Sequence, residues 1–219
     1  MALSSPHQIS NYRVRKGMKI LILNGSPRRK GVTSTLLTEL AAGIDGKHDV
    51  EIVRVHDLNM RPCIGCLKCR PDKTCILPRD DAHSLAEAVK IADLVVIGSP
   101  VYWGNMPGPL KIFFDRNVPL FEYCEADKPA RSLPKPRLKG KAGILIVCVG
   151  SPFPFSLLPS QCGGTVRSLK TILKAGGIRI ISVLRVSDSF NFDKKKEHYL
   201  QCVRRIADLI CSQRDAPFG

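Results

Sequence analysis

Short, unbroken apolar runs, separated by stretches of helical period, leave this chain few folds to choose from. Residues 19–23 (KILIL), 94–97 (LVVI) and 143–149 (GILIVCV) carry almost no polar side chain. A strand wetted on one face alternates apolar with polar residues, so continuous runs predict strands of a parallel sheet covered on both faces. Between them, apolar residues recur at helical spacing: Leu36, Leu37, Leu40, Ala41 and Ile44 in one stretch, Leu85, Ala88 and Val89 in another. Residues 50–55 read as a strand with Val50, Ile52 and the stem of Arg54 on one face, and residues 178–184 as another. Residues 110–114, 166–173 and 198–211 read as helices. Strict alternation of five strands and five helices predicts a doubly wound α/β sheet with helices on both faces. In the strand order 2-1-3-4-5, ligands bind beside strand 1, where the order reverses.

The chain has 219 residues, enough for one domain with a full core. Residues 1–17 read as a polar extension, 18–212 as the domain and 213–219 as a tail. Residues 120–141, rich in Pro, Lys and Arg, read as a surface loop. No apolar stretch is long enough for a membrane span, and the N-terminal residues lack the apolar core of a signal peptide. Nine cysteines in such a chain therefore point to the reducing cytoplasm, where thiols stay available to metals. The net charge of +15 raises the question of a polyanion, but the basic residues are dispersed and only 6% of the chain is aromatic. Specific nucleic-acid binding is not expected; nonspecific binding at low salt is.

Four of the cysteines, Cys63, Cys66, Cys69 and Cys75, fall in the run PCIGCLKCRPDKTC. Thiolates at such close spacing can wrap one iron-sulfur cluster of the 4Fe–4S type. Zinc is the rival, although its structural sites usually join two separated pairs, or cysteines with histidines. No histidine lies between Cys63 and Cys75, which favours iron. The plain reading is four free thiols on a turn-rich loop. Asp80 and Asp81 then open a helix, where capping accounts for both carboxylates. The five histidines, His7, His48, His56, His83 and His198, are scattered and expected in surface or core roles. Cys148 and Cys202 read as core residues.

The first strand runs into Asn24-Gly25-Ser26-Pro27-Arg28-Arg29-Lys30-Gly31-Val32-Thr33-Ser34 and then a helix. Strand, polar turn and helix N-terminus together form an anion site, because free backbone N–H groups and the helix dipole face the ligand. Ser26, Thr33 and Ser34 add hydroxyls and Arg28 a charge. The spacing is neither that of a Walker A loop nor G-x-G-x-x-G. After the third strand comes Gly98-Ser99-Pro100-Val101-Tyr102-Trp103-Gly104-Asn105-Met106-Pro107-Gly108, which holds the one tryptophan of the chain. Such a loop can lie against a flat heterocycle, or simply pack over the sheet end.

GSPRRKGVTSTLL resembles the phosphate-binding turn of the flavodoxin-like, NAD(P)H-dependent FMN reductases, and SPVYWGNMPGPLKIFFDR resembles their second flavin loop. The cysteine run followed by Asp80-Asp81 resembles the compact motif of the iron-sulfur flavoproteins within that family. The resemblance spans roughly residues 18–212 and implies a flavodoxin-like fold. It implies FMN, its phosphate held by Ser26, Arg28, Thr33 and Ser34 and its ring against Pro100, Val101, Tyr102, Trp103, Gly104 and Asn105. It further implies an oxidoreductase reduced by NAD(P)H or a small redox carrier, a homo-oligomer, and ring contacts from Gly150, Ser151 and Gly163-Gly164. Val32 departs from the pattern, which has asparagine there. A flavodoxin-type electron carrier is the alternative, though such carriers are usually acidic.

Overall fold

The computed structural model describes residues 17–70, 73–123 and 134–212. The expected extension (1–17, apart from Gly17) and tail (213–219) lie outside them. The elements run β1 (Lys19–Asn24), α1 (Val32–Ile44), β2 (Asp49–Arg54), α2 (Asp81–Ile91), β3 (Leu94–Pro100), α3 (Gly108–Arg116), β4 (Ala142–Cys148), α4 (Gly164–Ala175), β5 (Arg179–Val186) and α5 (Phe192–Cys211). The five strands form one parallel sheet in the order β2-β1-β3-β4-β5, as the alternation predicts.

Each central strand feeds two cores, because successive side chains point to opposite faces. Ile20 and Ile22, Leu94 and Val96, and Ile144 and Ile146 pack with α1 and α5, against Leu36, Leu40, Val203 and Ile210. Their neighbours Leu21, Leu23, Val95, Ile97, Leu145 and Val147 pack with α2, α3 and α4, against Leu85, Phe113 and Leu169. Burying such a side chain contributes roughly 1.5–3 kcal/mol, so both layers contribute to holding the sheet between them. Gly98 is required at its position: a Cβ there would lie 2.4 Å from Leu37 of α1.

Strand β2 is an edge of the sheet, as the order 2-1-3-4-5 requires, and its Ile52 is 43% exposed. Three expectations are corrected. The segment expected as surface loop is anchored at both ends. Residues Val118–Phe121 form a helical turn with Leu120 and Phe121 buried, Glu122–Tyr123 pairs with Lys135–Pro136, and Leu138 is buried. The closing helix begins at Phe192, a turn and a half earlier than expected, because Phe192 is itself buried. Cys148 is in the core as expected, whereas Cys202 is only partly buried, its sulfur 3.9 Å from His198 Nε2.

Candidate active site

The turn after β1 is held from within. Asn24, buried at the strand end, accepts from the Ser26 amide (2.9 Å) and donates from Nδ2 to Ser34 Oγ (3.0 Å). The Ser34 hydroxyl donates to the Arg28 carbonyl (2.7 Å), which also accepts from Ser26 Oγ and the Gly31 amide. Ser26, Thr33 and Ser34 are thus all buried, and only Arg28 of the four expected phosphate contacts is exposed. The Thr33 side chain hydrogen-bonds Cys148, whose thiol burial pushes up to about 12. Among the described residues no side chain caps α1: its N-cap is Gly31, and its first turn has no acid. The first amides of an α-helix have no intrahelical partner, so those of α1 remain as donors for an anion. By contrast α2 has a capping box, made by Asp80 and His83.

The Gly25 amide donates to the Gly98 carbonyl (2.8 Å), which sets the second turn beside the first at the reversal of strand order. There Tyr102 and Asn105 exchange two backbone hydrogen bonds of 2.9 Å around Trp103 and Gly104. Both central residues have positive φ, +51° and +71°. This is the sign pattern of a tight hairpin turn, easy for glycine and costly for tryptophan. The Val101 amide is tied to the Cys148 carbonyl (2.9 Å). Trp103 is wholly exposed, and Tyr102 half exposed, on the outer side of this turn. Gly104 sits on the backbone of Pro159 and Ser160, and Gly164 against the Gly104 carbonyl. The Gly163-Gly164 segment is therefore brought to the second turn. Gly150 lies under the Phe190 ring, and Ser151 Oγ bonds Gln161 Oε1 at 2.8 Å.

All four cysteines of the run line one cavity of about 100 Å³, together with Arg116. Cys63 and Cys66 are exposed, Cys69 and Cys75 partly buried. Burial pushes the Cys69 thiol up; its own backbone bond opposes this, while the nearby Cys75 and Cys63 sulfurs add to it. Among the described residues, no three His, Cys, Asp or Glu groups stand together as a ready metal site. The donor set is nonetheless soft and oriented. Cys63 Sγ accepts from the Gly65 amide (3.4 Å), and Cys75 Sγ from Arg116 Nε (3.1 Å). Gly65 and Leu67, both at positive φ, turn the chain between Cys63 and Cys69. Four sulfurs at one cavity wall, with no histidine among its lining residues, are a donor set that suits an iron-sulfur cluster and a four-cysteine zinc site alike.

Arg116 was not visible in the sequence as anything but a basic residue ending an apolar helix. It is fully buried, and its guanidinium donates to Cys75 Sγ, to the Arg61 carbonyl (2.7 Å) and to both oxygens of Asp80 (2.8 and 3.3 Å). His83 is the other omission. Its Nδ1 stands 3.2 Å from the Asp80 amide and 3.1 Å from Asp80 Oδ1, and its Nε2 lies 3.1 Å from the Cys75 carbonyl. Asp80 does cap α2, as expected, accepting from the Ala82 amide (3.1 Å).

A model of a family described as NADPH-dependent FMN reductase matches residues 18–158. An iron-sulfur flavoprotein of Methanocaldococcus jannaschii is 36% identical over 104 residues, 47% of this chain and 53% of that protein. One from Clostridioides difficile is 36% identical over 115 residues, 51% of each chain. The chain thus spans about half the length of these curated relatives. Among solved structures, an FMN-dependent NADH-azoreductase of Bacillus anthracis in complex with FMN superposes with a TM-score of 0.65. It is 16% identical, with 89% of this chain and 100% of that one covered, and so speaks to the fold.

Proposed function

The chain belongs to the NADPH-dependent FMN reductase family, and on that premise we propose that it is an FMN-dependent oxidoreductase, drawing electrons from NAD(P)H or a reduced carrier and passing them through a 4Fe–4S cluster. The observation that carries this reading is the uncapped N-terminus of α1, facing the second turn across the reversal of strand order. Arg28, the Thr33 hydroxyl and the first amides of α1 hold the phosphate, while Ser26 and Ser34 fix the Arg28 carbonyl and so the turn. Pro100, Val101, Tyr102, Trp103, Gly104 and Asn105 orient the ring and shield one edge of it from water. FMN, when bound, supplies two-electron uptake and one-electron release, and the protein supplies position and electrostatics.

Cys63, Cys66, Cys69 and Cys75 hold the cluster; the two relatives named iron-sulfur flavoproteins support this. The exposed Trp103, with Phe153, Phe155 and Phe190 also exposed, supports a homo-oligomer in which a second copy covers this face. A cytoplasmic setting keeps the thiols reduced, and among the described residues no helix is long and apolar enough to cross a membrane.

Anaerobically purified protein is expected to be yellow, and NADPH or NADH to bleach its flavin band. R28A combined with T33A is expected to release flavin. Failure of the apo-protein to take up FMN at micromolar concentration, about 8 kcal/mol of binding, ends the flavin reading. Bleaching by dithionite but by neither nicotinamide leaves an electron carrier instead.

A further inference from the structure

Helix α3 begins at Gly108, three residues beyond the Tyr102–Asn105 turn, and ends at Arg116 beneath the cysteine cavity. One short helix therefore joins the ring-side turn to the cysteine loop. We propose that Arg116 is a positioning residue for the cluster, fixing the Cys75 sulfur through Nε and raising the cluster's reduction potential by that hydrogen bond. The inference rests on the cluster reading above.

The guanidinium has no exposed surface, and the charge it carries in that place is matched by one carboxylate, Asp80. Its four hydrogen bonds reach three separate points of the cysteine segment: Arg61 at its start, Cys75 within it and Asp80 at its end. A planar fork can make such divergent contacts at once, whereas a lysine offers one small centre and cannot. Cys75 is also the cysteine most tightly held, because His83 takes its carbonyl while Arg116 takes its sulfur. An N–H group donating to a ligating sulfur draws electron density from it, and hydrogen bonds to the sulfurs are among the factors that set cluster potentials. A purely structural arginine would hold the loop but leave the potential where it was.

The test uses R116K and R116Q beside the wild type. In iron-free protein, hydrogen exchange read by mass spectrometry is expected to quicken roughly tenfold or more in peptides covering residues 59–83, with α1 unchanged. After anaerobic reconstitution, both variants are expected to give a more negative midpoint potential in an EPR-monitored titration. In the wild type itself, pulsed EPR of the reduced cluster in protein carrying 15N-arginine is expected to detect a coupled nitrogen, which needs no variant to fold. A wild-type potential in R116K and R116Q, or no arginine coupling, overturns the tuning role. Unchanged exchange in both variants overturns the positioning role. A wild type that takes up no iron sinks the cluster reading itself, a result separate from either.

Discussion

At Asp80, burial alone would raise the carboxyl pKa. Hydrogen bonds from Arg116, the Arg61 amide and His83, with the charge of Arg116, outweigh it and hold the group at about 2. The folded value lies below the ordinary carboxylate value of about 3.9, so the ionised form stabilises the fold above that pH. This contribution, on the order of 2 kcal/mol, is lost as pH falls from about 4 through 2. D80N should cost about 3–5 kcal/mol at neutral pH, because it leaves the Arg116 charge buried without its partner. The gap between wild type and D80N should then narrow on acidification. Urea midpoints measured from pH 7 to pH 2 check both, and a gap that stays constant refutes the ion-pair account. The surface pair Arg29–Asp57, at 2.9 Å with both groups well exposed, carries no comparable weight.

Among the elements, the Tyr102–Asn105 turn has the least room. G104V places a branched side chain at φ +71° and a Cβ 2.9 Å from the Ser160 backbone. The left-handed conformation alone costs about 1–2 kcal/mol, and the clash adds to it. Thermal denaturation should show that loss, and flavin titration a weaker affinity; W103N, which suits the same conformation, should leave stability within about 0.5 kcal/mol of wild type. The glycine of this turn was legible in the sequence, as were the three central strands, because backbone restriction and unbroken apolarity leave local marks. What was illegible depends on distant partners. Arg116 sits at the end of LKIFFDR, where a helix C-terminus ordinarily shows a solvated cation. Its carboxylate lies 36 positions away. Phe192 is followed by a polar run, so the start of α5 carries no helical stripe. Leu120, Phe121 and Leu138 were hidden by the prolines and cations around them, yet all three join the core beside α3 and α4.

For the molecule as a whole, the two turns proposed to hold FMN hang from strands that both cores share, so occupancy of the site should be felt everywhere. At a hundredfold excess over Kd, FMN should stabilise the apo-protein by about 2.7 kcal/mol. For a chain of this length that is a rise of roughly 5–10 °C in Tm. A scan against FMN concentration checks it, and a Tm indifferent to FMN refutes it. The cysteine segment stands apart from this coupling, because its two ends are stitched to each other. The Asn59 amide meets Asp81 Oδ2 at 2.7 Å, the Asp81 amide the Asn59 carbonyl at 3.4 Å, and the Arg61 amide Asp80 Oδ2 at 3.0 Å. A closed neck makes what lies beyond it interchangeable, since the entropy of joining two ends already fixed changes only slowly with the length between them. Residues 63–78 could be exchanged for a short Gly-Ser bridge, with Arg116 Nε and His83 Nε2 left to water. Such a chain should still fold and turn yellow with FMN. Electron storage by metal would thus be an accessory of this scaffold, one that can be gained or discarded without redrawing the sheet beneath it.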